Sequence, residues 1–209
     1  MNQFQHSWQR AWTGIGARTD GQGAYEQLLA RYSEPHRHYH TLQHLGECLA
    51  MFESVRGLAE HPDEVELALW FHDAIYDTHR PDNEERSADW TRAALLDAGV
   101  AADSSDRVHA LIMATRHTAN PTLPDEQLLV DIDLSILGAE QARFDQYEEQ
   151  IRKEYAFVPS WLFRRKRKAI LQGFLDRPSI YSTAHFREAL EQRARANLRQ
   201  TTRRAAILC

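Results

Sequence analysis

Two cysteines in 209 residues, Cys48 and Cys209, are too few and too far apart to frame a disulfide scaffold. A reducing compartment suits them, so a cytoplasmic location is expected. Glycine and proline are also scarce, nine and seven residues, and they fall between segments rather than within them. The longest apolar runs are short pieces such as "LALWF", well under the ~20 residues that span a bilayer, so no membrane partner is expected. The opening "MNQFQHSWQRAWTG" lacks the apolar core of a secretory leader. No stretch alternates in the manner of a half-buried strand, and there is no internal repeat. A net charge of -5 argues against nucleic acid as a general partner.

What is present is a helical rhythm. Apolar residues recur with a period near 3.6 and predict helices at roughly 3–12, 23–32, 40–57, 63–77, 84–98, 104–117, 125–138, 140–155, 160–176 and 184–200. Asp63 is the expected N-cap of the fourth, and Gly99 closes the fifth. The expected fold class is all-α: a single-domain helical bundle over residues 1–209, with a core at about 30–140 and C-terminal helices packing on it. Trp70, Trp90 and Trp161 lie at helical spacing and read as core.

Four histidines crowd into "PHRHYHTLQH": His36, His38, His40 and His44. A helix from about His40 puts Leu45, Leu49, Phe52 and Val55 on its buried stripe. His40 and His44 stack on the flank of that stripe, so one can bind a metal while the other reaches a group bound to it. In "DEVELALWFHDAIYD", Val65, Ala68, Leu69 and His72 share an apolar face, and Asp73 lies on its edge. A buried His beside a buried Asp is costly unless something pairs with them, and a divalent cation does so. In "PDEQLLVDIDLSILG", Leu129, Ile132, Asp133 and Ile136 form the inward stripe, whereas Asp131 shares a face with Gln127 and Ser135 and should meet water. Two imidazoles and two carboxylates suit Mn²⁺, Mg²⁺, Fe²⁺, Zn²⁺, Ni²⁺ or Co²⁺, with positions left for water and substrate.

The order His44 … His72-Asp73 … Asp133 resembles the HD-domain superfamily of metal-dependent phosphohydrolases. "YHTLQH" resembles the start of the cyclic-nucleotide phosphodiesterase signature, Tyr-His-Asn-x-x-His, with Thr41 in place of the Asn. That resemblance implies a general acid at His40 and a metal ligand at His44. "FHDAIYDT" is similar to the His-Asp-x-x-Glu-Asp-Thr run of the alarmone hydrolases. Asp77 keeps the Asp that helps position water there, but Tyr76 replaces the Glu, so alarmone hydrolysis is not implied. The chain as a whole, including "DNEERSA" and "RPSIYSTAHF", most resembles predicted HD-superfamily phosphohydrolases, a subgroup that lends no substrate. The implied activity is hydrolysis of a small phosphorylated metabolite, a nucleotide or other phosphomonoester, by metal-activated water.

Around that core, Asp73, Asp77 and Glu84 are candidates to accept or orient the proton of water, and His40 to protonate the leaving oxygen. His117, Arg116, Lys153 and Arg164 are candidates for substrate phosphates. The run "RRKRK", Arg164 to Lys168, reads otherwise as a solvated face. His61, His79 and His109 are expected at the surface or in packing roles, and His6 and His185 carry no signal. Two alternatives keep the metal and change the chemistry: a di-iron HD-type oxygenase, or a non-catalytic module that grips RNA or a partner. Self-association as a homo-oligomer is compatible with the sequence.

Overall fold

The structure is a computed structural model that describes residues 3–117 and 119–207, with side chains as far as Arg203. It is all-α. Among the described residues ten helices follow in order: α1 (Gln3–Gly14), α2 (Gln22–Arg31), α3 (Leu42–Val55), α4 (Pro62–Phe71), α5 (Asn83–Asp97), α6 (Ala102–Ala114), α7 (Pro124–Asp133), α8 (Gln141–Glu154), α9 (Ser160–Leu175) and α10 (Ala184–Ile207). Short 3₁₀ turns extend α3 over Arg56–Leu58 and α7 over Leu134–Gly138. Among the described residues no strand is present, and no helix is long and apolar enough to cross a membrane. The chain resolves into two compact units, Met1–Ile132 and Asp133–Cys209.

In the first unit α4 is enclosed. Every residue from Glu64 to Phe71 is buried, and α1, α3, α5 and α6 pack around the helix. The sequence assigns it a single apolar face, but there is no polar face to oppose it. Its two glutamates are held inside by ion pairs. Glu66 accepts from Ser7 Oγ at 2.6 Å and from Arg10 Nε and Nη2 at 3.0 and 2.6 Å. Glu64 accepts from Arg107 Nε and Nη2 at 2.8 and 2.6 Å. Removing Arg10 strands the buried Glu66 carboxylate and should cost about 3–5 kcal/mol, whereas the Arg107 pair is partly screened by water and contributes less. Trp8, stacked on Trp12 and edge-on to Trp70, fills the space between α1 and α4.

Several element ends differ from the sequence expectation. The cap of α4 is His61, with Pro62 in the first turn. Asp63 accepts from Arg56 Nη2 at 2.5 Å instead of capping. Helix α3 starts at Leu42 behind Thr41, whose hydroxyl accepts from the Gln43 amide, so His40 precedes the helix. Gly99 does close α5, with φ of 79° and its amide bonded to the Leu96 carbonyl. The largest departure is at α4, which stops at Phe71 rather than running to 77. His72 is its C-cap, and Asp73 lies in the turn beyond.

In the second unit α10 packs along the 3₁₀ turn and α9. A Cβ at Gly138 would stand 2.7 Å from Leu190 Cβ, so only glycine allows this approach. Asn197 then donates to the carbonyls of Leu137 and Ala139 at 2.9 and 3.0 Å. In the basic run of α9, Arg165, Lys166 and Lys168 are exposed, as a solvated face requires. Arg167 departs from that pattern: it pairs with Glu148 and lies over the Tyr147 ring. Trp161 departs from its assignment as core and is 62 % exposed.

Candidate metal centre

Three basic atoms from two segments of the first unit meet at one point. His44 lies one turn into α3 and is buried, and His72 caps α4 and is buried. Their Nε2 atoms are 3.1 Å apart. Asp73 Oδ2 lies 3.0 Å from His72 Nε2 and 3.4 Å from His44 Nε2.

The hydrogen bonding of His72 shows what this arrangement calls for. Its Nδ1 lies 2.7 Å from the Leu69 carbonyl, an acceptor only, so Nδ1 carries the proton. In the neutral ring, Nε2 is then a lone pair aimed at a carboxylate oxygen and at a second imidazole. Such atoms repel unless a proton or a cation lies between them. One proton satisfies one pair, whereas a metal ion satisfies all three. With bonds of about 2.1 Å, ligand atoms around an ion stand about 3.0 Å apart at right angles and about 3.4 Å apart in a tetrahedron. The separations found here fall in that range, so the residues fit a divalent cation.

Two further donors lie at hand. Ligand atoms of His44, Cys48, His72 and Asp133, the last residue of α7, all lie within 4.8 Å of one another. Cys48 is buried, and its Sγ lies 3.7 Å from His44 Nδ1. This cluster can hold a metal ion. Cys48 is absent from the ligand set expected from the sequence, where its one signal is the i,i+4 spacing from His44 on α3. Asp131, expected to face water, is completely buried, while Asp133 is partly exposed. The premise of a single inward stripe fails because Leu128 to Ile132 are all buried.

The electrostatics of Asp73 follow from its neighbours. Burial pushes its carboxyl up; with protons rather than a cation at the Nε2 atoms, the His72 and His40 rings and hydrogen bonds from His44 and His72 outweigh burial and hold it well below the usual carboxylate range. His40 is half-buried, stacked on Tyr76 with ring centroids 4.1 Å apart, and its ring lies 5.8 Å from that of His44. It stands beside the cluster, at its rim.

The remaining candidates are placed less directly. Asp77 Oδ1 accepts from the His79 amide at 2.9 Å and lies 3.2 Å from His79 Nδ1, so its carboxylate serves its own turn. Glu84 is half-buried in the first turn of α5. Arg116 is exposed beyond α6, and His117 follows with a left-handed φ of 53°. Lys153 is exposed on α8 and Arg164 half-buried on α9, both in the second unit. Thr118 and Cys209 lie outside the described residues. A second cluster, Glu60, His61 and Asp125, also brings three ligand types together.

In comparisons with protein-family models, curated proteins and solved structures, nothing matches this chain.

Proposed function

We propose that this chain is a metal-dependent phosphohydrolase acting on a small phosphorylated metabolite, a nucleotide or another phosphomonoester. The observation that carries the proposal is the meeting of His44 Nε2, His72 Nε2 and Asp73 Oδ2 within 3.4 Å, with the His72 lone pair turned inward. The resemblance of the same residues, in the same order, to the HD-domain superfamily supplies the reaction class.

His44, His72, Asp73 and Asp133 hold the ion, with Cys48 as a further donor. Thiol and imidazole donors favour Zn²⁺, Fe²⁺, Co²⁺ or Ni²⁺ over Mg²⁺ and Mn²⁺. The bound ion supplies Lewis acidity, which lowers the pKa of water and draws charge from phosphoryl oxygens. Asp73 stays ionised and keeps its second oxygen to orient the attacking water. Because Asp77 is engaged by His79, the role of proton acceptor falls to Asp73. His40 stands at the rim to protonate the leaving oxygen, and His117 and Arg116 offer contacts to the phosphate.

A screen of nucleotides and sugar phosphates with Mn²⁺, Mg²⁺, Co²⁺ and Ni²⁺ tests the reading. Phosphate release should depend on the ion and disappear with chelator. In H72A and D133A it should disappear together with bound metal. Full metal retention in both variants, or a loaded protein that releases no phosphate from any compound, overturns it.

A further inference from the structure

We infer that Arg37 is the positioning residue of the metal centre: a single buried guanidinium that ties the loop before α3 to the turn after α4, and so fixes His44 against His72 and Asp73. The inference rests on the metal reading proposed above.

The Arg37 side chain has no solvent exposure. Four of its five N–H groups have oxygen partners. Nε donates to Glu34 Oε2 at 3.0 Å. Nη1 donates to the Asp73 carbonyl at 2.6 Å and to the His40 carbonyl at 3.3 Å, and Nη2 to the Ala74 carbonyl at 3.1 Å. The Tyr32 and Tyr76 rings lie on its faces, 5.3 and 5.5 Å from the guanidinium carbon. A buried cation that served only the core would be placed on a carboxylate. This one has a single carboxylate partner, and its other three bonds go to backbone oxygens in the two segments that carry the ligands.

The consequence for the backbone is direct. In a helix continuing past His72, the carbonyls of Asp73 and Ala74 would accept the amides of residues 77 and 78. Arg37 takes both carbonyls. The amides of the turn are taken elsewhere: Ile75 N–H donates to Ser87 Oγ at 3.0 Å and Asp77 N–H to Asn83 Oδ1 at 3.1 Å. Helix α4 therefore ends where Asp73 can fold back on the His72 ring. On the other side, His40 immediately precedes Thr41, the N-cap of the helix that presents His44. Lysine cannot substitute, because a compact ammonium lacks the planar fork that spans four acceptors.

The test compares Zn²⁺ affinity of the full-length wild type and Arg37→Lys, measured by competition with a chromophoric chelator, alongside apo melting curves. R37K should keep the helical spectrum and bind Zn²⁺ about 10–100-fold more weakly, the range found when groups that orient metal ligands are lost. An arginine that only supports the core would lower apo and loaded melting temperatures equally and leave affinity unchanged. Affinity of folded R37K within twofold of wild type overturns the inference. If R37K does not fold, Glu34→Gln takes its place, since it weakens the hold on one end of the guanidinium by removing the carboxylate charge and leaves the arginine itself intact. A loss of threefold or more in E34Q supports the inference, and unchanged affinity overturns it. A wild type that binds neither Zn²⁺ nor Co²⁺ overturns the metal reading itself, an outcome distinct from equal binding by both proteins.

Discussion

Two clusters in the first unit contain the same chemistry and differ in what completes them. Around Asp125, in the first turn of α7, the protein's own donors are enough. Its Oδ1 accepts the Glu60 amide at 2.8 Å, and its Oδ2 accepts the His61 amide at 2.9 Å with His61 Nδ1 at 3.1 Å. Around Asp73 no backbone donor does this work: its nearest partners are two imidazole Nε2 atoms, and that of His72 is a lone pair in the neutral ring because the Leu69 carbonyl takes the Nδ1 proton. Proximity of histidine and carboxylate is thus weak evidence for a metal. The informative quantity is the number of donors left to the carboxylate once the backbone has been counted.

The comparison breaks most sharply through metal content. H72A should lower bound divalent metal from about one ion per chain to almost none, while D125A leaves it unchanged. Elemental analysis of both proteins decides, and loss in D125A would mean the clusters do not differ in kind. Thermal melting sharpens the contrast. Zn²⁺ at about 100 times its Kd should stabilise the wild type by about 2.7 kcal/mol, a rise of roughly 5–10 °C for a chain of this size. The rise should survive in D125N and vanish in H72A. Urea denaturation should show the other half: D125A loses about 1–3 kcal/mol, because two backbone amides and an imidazole lose their acceptor.

Cys48 tests the donor set. The Co²⁺-loaded protein should show a thiolate-to-cobalt charge-transfer band that is absent in C48S, with affinity down about tenfold, or ~1.4 kcal/mol. A wild-type spectrum without that band removes Cys48 from the ligands. The smallest effect belongs to E60A, an exposed side chain in the satisfied cluster, whose stability should stay within about 0.5 kcal/mol of wild type.

The helices were legible because their signal is local. Apolar residues at helical spacing locate all ten, and Gly99 marks the end of α5 without help from the rest of the chain. The end of α4 was not legible. It is set by Arg37, Ser87 and Asn83, none of which lies within the helix it terminates. The pair His72-Asp73 could be picked out as a pair, yet its placement on a helix face was wrong, since only the cap and turn let Asp73 reach the His72 ring. Asp133 joins the cluster as its spacing suggests, but Asp131 is buried rather than facing water, because the end of α7 from Leu128 to Ile132 is covered all round and has no outward face. Cys48 is hard to read as a ligand because a lone thiol has no partner in the sequence, and its i,i+4 spacing from His44 is the one local sign.

The enclosure of α4 also bears on motion. A helix with four neighbours and two internal ion pairs cannot fray alone, so its amide hydrogens should exchange with deuterium only when the first unit opens as a whole. The His72 amide belongs to this set, bonded to the Ala68 carbonyl at 2.9 Å. An ion gripped at one end of the helix would therefore slow exchange along its entire length, and α4 would report ion occupancy far from the imidazoles themselves.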